Sequence, residues 1–234
     1  MSMLLLMETS YSSATMSSSA TSSSQSKPTL AQIRAAAEAL SHILKDNTYA
    51  VVGGAACAVL GSGRETTDVD FVVPQGATAN MRKILKDQPK YFNVDGRTSH
   101  TYYKSTPPVE IEIVAPPALF KERFDASTPT VVIEGVKILK PALILNAKCR
   151  SVLGRATAEK KYNDAQDIQY LLYWCAKMET RPTAEEVPNA TKDFVLWFIS
   201  EYKGEEYWKN AGYNLDKGQF AWLKAYASAT DILG

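Results

Sequence analysis

The run Tyr49-Ala-Val-Val-Gly-Gly-Ala-Ala-Cys-Ala-Val-Leu-Gly-Ser-Gly-Arg-Glu-Thr-Thr-Asp-Val-Asp-Phe-Val-Val73 constrains this chain more than any other segment. It opens with a short β-rich stretch, Tyr49 to Val52, that stops at Gly53-Gly54. Ala55 to Leu60 then read as a helix and Gly61-Ser-Gly63 as a loop. Val69 to Val73 form a second strand, ended by Pro74. Gly53 and Gly54 open the helix, which places backbone N–H groups and the positive helix end where a phosphate could sit, and glycine allows close approach. The strand period of two puts Asp68 and Asp70 on one face, with Val69 and Phe71 turned to the core.

Two carboxylates side by side repel each other unless something positive joins them. A divalent cation is the simplest partner, and Mg²⁺ favours a few hard oxygen ligands together with substrate phosphates. In two-metal phosphoryl transfer, one ion serves the attacking hydroxyl and the other the leaving group. Alone, a Gly-Gly pair before a helix is an ordinary tight turn, and an Asp-x-Asp pair is ordinarily solvated or ion-paired. Together they fix order, spacing and secondary-structure context, which is far more specific.

The segment resembles the signature of polymerase-beta-like nucleotidyltransferases: a hydrophobic residue, Gly, then Gly or Ser, a spacer, and Asp-hydrophobic-Asp-hydrophobic. Arg64-Glu-Thr66-Thr-Asp68-Val-Asp70 is most similar to the minimal and AbiEii-type members. The resemblance covers about residues 30–178. It implies an α+β fold, a mixed sheet flanked by helices with a C-terminal helical region. It also implies Mg²⁺ (or Mn²⁺) held by Asp68, Asp70 and a third acidic residue, with an NTP as substrate. Val109-Glu110-Ile-Glu112-Ile-Val114 offers two candidates for that third position. Glu112, followed by Ile113-Val114-Ala-Pro116, fits the family pattern better than Glu110, although both are Glu where Asp is commoner. On residues alone, alternating Glu and Ile is also an ordinary half-exposed strand.

The same resemblance assigns a lysine and acidic residues on later helices to nucleotide phosphates and site architecture; Lys148, Asp164 and Asp167 match them. A solvated helix face with ion pairs is the alternative for those residues. Arg64 reads either as a phosphate grip or as a partner of Glu65 or Asp68. Gly54 stands where Ser is commoner, which leaves phosphate binding there to backbone amides. His100 reads as structural.

The remaining sequence sets the frame. Residues 1–27, rich in Ser and Thr after a short apolar run, read as a disordered leader rather than a secretory signal. Residues 28–140 are expected to be the catalytic domain, and 141–234 a helical region completing the nucleotide cleft. Thr29-Leu-Ala-Gln32 has the form of a capping box, and Ile33 to Leu44 repeat at helical spacing. Val131-Val-Ile133 and Val136-Lys-Ile138 flank Glu134-Gly135, which suggests a hairpin. Helical patterns follow from Pro141 onward (Leu143, Leu145, Lys148, Val152) and from Ala165 to Met178, and Phe194, Trp197, Phe198, Phe220, Trp222 and Tyr226 suggest further core helices. Cys57, Cys149 and Cys175 fit no metal-binding spacing and point to reduced, buried thiols in a cytoplasmic or nuclear protein. No stretch approaches the roughly 20 apolar residues that span a membrane.

The function these features imply is Mg²⁺-dependent transfer of a nucleotidyl group from an NTP to an acceptor hydroxyl, with release of pyrophosphate. Asp68, Asp70 and Glu112 would be catalytic, and Gly53, Gly54, Arg64, Lys148, Asp164 and Asp167 would surround the nucleotide. The acceptor, whether RNA (including tRNA), protein or small molecule, is left open. The net charge of +1 gives no global signature of nucleic-acid binding. The alternative is a catalytically impaired nucleotide-binding or scaffold protein that keeps the fold.

Overall fold

A computed structural model of the chain describes residues 26–221. Residues 1–25 of the expected leader lie outside the described residues, as do Trp222 and Tyr226. Helix α1 (Leu30–Ile43) begins at the anticipated capping box. The Thr29 side chain accepts from the Gln32 backbone N–H, and the Gln32 side chain accepts from the Thr29 N–H at 2.8 Å. Both exchanges satisfy donors that a helix start otherwise leaves bare. Ile33, Ala36, Ala37 and Leu40 form its buried face.

Strand β1 is only Ala50–Val51, because the chain leaves extended backbone at Gly53, whose φ of 66° opens helix α2 (Gly53–Val59). Strand β2 (Asp68–Val72), helix α3 (Thr78–Lys86), and strands β3 (Phe92–Val94), β4 (Thr101–Tyr103) and β5 (Val109–Val114) follow. Strands β6 (Thr130–Ile133) and β7 (Val136–Leu139) form the expected hairpin. Its turn residues Glu134 and Gly135 both have positive φ, the backbone that a tight hairpin of this hand demands.

The seven strands make one mixed sheet in the order β3-β4-β5-β2-β1-β7-β6. Strand β2 pairs antiparallel with β1 and parallel with β5. Val69, Phe71, Ile111 and Ile113 are buried on one face of β2 and β5, and α1 and α2 pack against β2. The alternation leaves Asp68, Asp70, Glu110 and Glu112 on the opposite face.

Beyond the sheet the chain is helical: α4 (Pro141–Gly154), α5 (Ala158–Lys177), α6 (Lys192–Tyr202) and α7 (Glu205–Asn210). Helix α5 starts at Ala158, earlier than its apolar periodicity suggests. Its first turns, Ala158-Glu-Lys-Lys-Tyr-Asn, carry no apolar face, and the Thr157 side chain caps it by accepting from the Lys160 N–H. Trp208 is fully buried against Phe194, Phe198 and Tyr213, with ring centroids 6.2, 5.7 and 5.5 Å away. Phe220 belongs to this aromatic core but not to a helix. It follows the bridge between Asn214 and Gln219 and meets Tyr213 edge-on at 5.0 Å. Among the described residues, no helix is long and apolar enough to cross a membrane.

Candidate active site

Five-residue parallel register between β2 and β5 decides which acidic side chains meet. Asp70 lies opposite Glu112 and Asp68 opposite Glu110. Adjacent strands run about 4.8 Å apart, so each pair is a close cross-strand neighbour on the face opposite Val69 and Phe71. Asp68, Asp70 and Glu112 all border one charged cavity of about 380 Å³. Glu110 does not line it; its carboxylate instead pairs with His100 Nδ1 at 3.0 Å, both side chains about half exposed. The structure therefore brings Glu112 to Asp70 and leaves Glu110 beside His100.

The electrostatics of Asp70 follow from this crowding. Burial, then the charge of Asp68, then the hydrogen bond and charge of Glu112 push its carboxyl well above the usual range; Lys148 offsets part of the effect. A group in this state gains from a cation placed between the carboxylates. Asp68 is held differently: its Oδ1 accepts from the Thr66 hydroxyl at 3.2 Å. Among the described residues, no three His, Cys, Asp or Glu side chains are spaced to hold a metal ion by themselves. Mg²⁺ is commonly bound by one or two carboxylates plus substrate phosphates, and the hard oxygens of Asp70, Glu112 and Asp68 suit that mode.

The two glycines face these groups. A Cβ at Gly53 would lie 2.5 Å from Asp70 Oδ2, so the positive φ and the bare Cα both serve the approach of α2 to the carboxylate. A Cβ at Gly54 would lie 2.5 Å from Arg64 Nη2 and 2.7 Å from Thr66 Oγ1. The space a serine would need at position 54 is filled by Arg64 and Thr66.

Behind the carboxylates lies a buried chain of alternating charge. Arg64 donates to both oxygens of Asp167, Nε to Oδ1 at 2.7 Å and Nη2 to Oδ2 at 3.0 Å. Lys148 Nζ lies 2.8 Å from Asp167 Oδ2 and 2.6 Å from Asp164 Oδ1. Arg155 Nε and the Ser151 hydroxyl then donate to Asp164 Oδ2 at 2.6 and 2.8 Å. Asp164 and Asp167 are one turn apart on α5, which lets them share Lys148 from α4. Burial alone would lower the Lys148 pKa, but Asp167 and Asp164 more than offset it and hold it above the ordinary lysine value. Arg64 thus pairs with Asp167, not with the carboxylates of Glu65 or Asp68; its Nη1 donates to the Glu65 carbonyl. The pairing joins residues more than a hundred positions apart, a relation that local spacing does not display.

A second cavity, of about 320 Å³, shares the wall of Asp70, Glu112, Lys148 and Arg155. Val114, Leu119, Phe120, Leu139 and Ile144 make it largely apolar. Sequence reasoning singled out none of these, nor Glu122 and Ser151. The segment between β5 and β6 that carries Leu119 to Glu122 has no regular structure, so no periodicity marks it. The three cysteines are buried and free, as expected.

No family model and no curated protein matches the sequence. Solved structures do. An antigenic nucleotidyltransferase-like protein from Paracoccidioides brasiliensis aligns over 86% of this chain and 100% of its own, with 20% identity and a TM-score of 0.60. JHP933 from Helicobacter pylori aligns over 87% of this chain and 97% of its own, with 16% identity and a TM-score of 0.52. A candidate nucleotidyltransferase from H. pylori aligns over 74% and 80%, with 18% identity and a TM-score of 0.50. The fold is the one that the Gly-Gly and Asp-x-Asp segment implied.

Proposed function

We propose that this chain, built on the polymerase-beta-like nucleotidyltransferase fold, moves a nucleotidyl group from an NTP to an acceptor hydroxyl. The observation that carries this reading is the β2–β5 register, which sets Asp70 against Glu112 at the junction of the two cavities. The charged cavity suits a triphosphate: Lys27, Arg155 and Lys160 line it along with Gly54 and Lys148. Mg²⁺ held by Asp68, Asp70 and Glu112 would neutralise charge on the α-phosphate and on the departing pyrophosphate.

The residues themselves do the rest. The acceptor oxygen forms a bond to the α-phosphorus as the bond to the bridging oxygen of pyrophosphate breaks. Glu112, exposed at the cavity edge, takes the hydroxyl proton on its carboxylate. Arg155, whose guanidinium is part exposed, offsets charge on the leaving group. Lys148 and Arg64, their charges matched by Asp164 and Asp167, fix the wall against which the phosphates rest.

The test is incubation of the protein with each labelled NTP, Mg²⁺ or Mn²⁺, and either total RNA or cell lysate. Label should pass to one acceptor class and disappear with Asp68→Asn or Asp70→Asn. A second reading, nucleotide binding without turnover, is favoured by one observation: Arg64 and Lys148 are already ion-paired. Calorimetric NTP binding with no pyrophosphate release across acceptor classes would support it instead.

A further inference from the structure

Helix α1 is pinned where it starts. Its cap, Thr29 with Gln32, is reciprocal, and Gln32 Nε2 also donates to the Thr106 carbonyl at 2.7 Å, on the loop between β4 and β5. Pro28 precedes the cap with a fixed φ, so the direction in which the chain arrives is set. It arrives at the charged cavity: Lys27 lines that cavity together with Asp68, Asp70 and Glu112. Asn163 of α5 lines it too, and its side-chain amide meets no partner among the described residues. The stretch before Lys27 is chemically uniform. Thirteen of the residues 8–26 are Ser or Thr, and none from Thr9 to Ser26 is charged. It therefore brings hydroxyls to the cavity and no charge to desolvate there.

We propose that this stretch is itself the acceptor: a hydroxyl of Thr21, Ser22, Ser23 or Ser24 receives the nucleotidyl group in cis. The inference rests on the nucleotidyl-transfer reading and names its acceptor. These residues stand three to six positions before Lys27. A chain spans at most about 3.3–3.6 Å per residue, so each has the length to return from Lys27 into the cavity that Lys27 borders. Tethering holds such hydroxyls at an effective concentration on the order of millimolar, above that of a dilute free acceptor. The Asn163 amide, both donor and acceptor, suits the peptide groups of a segment laid across the cavity. In the step, the hydroxyl oxygen bonds to the α-phosphorus while the bond from that phosphorus to the bridging oxygen breaks. Glu112 takes the hydroxyl proton, pyrophosphate leaves, and the chain keeps a nucleoside joined through a phosphodiester.

The test incubates the purified full chain with each α-labelled NTP and Mg²⁺ and no added acceptor, then maps the label by mass spectrometry of tryptic peptides. Trypsin does not cut between Lys27 and Pro28, so the whole stretch is released as residues 1–34. That peptide should gain one nucleoside monophosphate, on Thr21 to Ser24, and Asp70→Asn should abolish the gain. Because the reaction lies within one molecule, the fraction labelled per minute should stay constant across about a tenfold dilution. The next hydroxyls, Ser17 to Ser19, stand about twice as far from Lys27, and effective concentration falls as roughly the −3/2 power of tether length. Thr21→Ala, Ser22→Ala, Ser23→Ala and Ser24→Ala together should therefore cut the label in the peptide by about threefold or more, with the melting midpoint unmoved. Label that reaches added RNA or lysate protein but never residues 1–34 would overturn this inference and leave the transfer reading standing. A labelled fraction that falls in proportion to dilution would overturn it too, since the acceptor would then be a second copy. If no pyrophosphate is released with any acceptor, the transfer reading itself fails and this inference with it.

Discussion

Asp167 grips Arg64 at two points, 2.7 and 3.0 Å, while fully buried at the base of the cleft. The same carboxylate lies 2.8 Å from Lys148. Removing it leaves two buried cations with one fewer anion, a loss that desolvated charges do not tolerate. Asp167→Ala should therefore destabilise the protein by about 3–5 kcal/mol, read as a fall in the denaturation midpoint. A change below about 1 kcal/mol, the range of exposed pairs, would mean that the network is not desolvated.

Gly53 combines a left-handed backbone with contact to Asp70. Alanine at this position would adopt a φ that costs roughly 1–2 kcal/mol and would set its Cβ 2.5 Å from Asp70 Oδ2. Gly53→Ala should lower stability by that amount and transfer activity by about a hundredfold, because it displaces a reacting-centre carboxylate. Full activity in a melt-competent Gly53→Ala protein would show that Asp70 need not hold its position.

Gly54→Ser tests why serine is missing. Its side chain would press on Arg64 Nη2 and Thr66 Oγ1, at a cost of about 1–3 kcal/mol. The cost should largely vanish in an Arg64→Ala background, giving a coupling of at least about 0.5 kcal/mol in a double-mutant cycle. Simple additivity would place the strain elsewhere.

Asp164 links stability to pH. Burial alone would raise its pKa, but the hydrogen bonds from Arg155, Lys148 and Ser151 and the charge of Lys148 bring it below the usual carboxylate value. A depressed folded pKa gives stability that is complete above the unfolded value of about 3.9 and is lost as pH falls through the folded one. Asp164→Asn should flatten the acid limb of the stability curve below about pH 4, while lowering stability at neutral pH. An acid limb unchanged by the substitution would assign acid sensitivity to other carboxylates.

How much of this was legible in the sequence depends on whether a relation is local. The Thr29–Gln32 capping box, the Glu134-Gly135 hairpin and the common face of Asp68 and Asp70 all follow from spacings of a few residues, and each stands in the fold as read. The meeting of Asp70 with Glu112 needed the strand register, since Glu110 has the same periodicity and the same side chain. Local spacing leaves Arg64 between Glu65, Asp68 and a phosphate, because its partner Asp167 is brought near only when α5 packs behind α2. The start of α5 has no apolar period to mark it, because its first turns are polar and are capped by Thr157. Phe220 reads as part of a helical pattern, because burial in an aromatic core leaves the same sequence trace from a turn as from a helix.

In the proposed reaction Asp70 and Glu112 act together on a bound nucleotide. The most direct measurement is release of pyrophosphate and transfer of label from an NTP by the wild type, Asp70→Asn and Glu112→Gln, in Mg²⁺ and with the acceptor fraction that accepts label. Each substitution should reduce transfer by at least about a hundredfold, within the range of general-base and charge-stabilising groups, while the folded protein retains its melting transition. Transfer that continues undiminished in a folded Asp70→Asn protein would contradict the account.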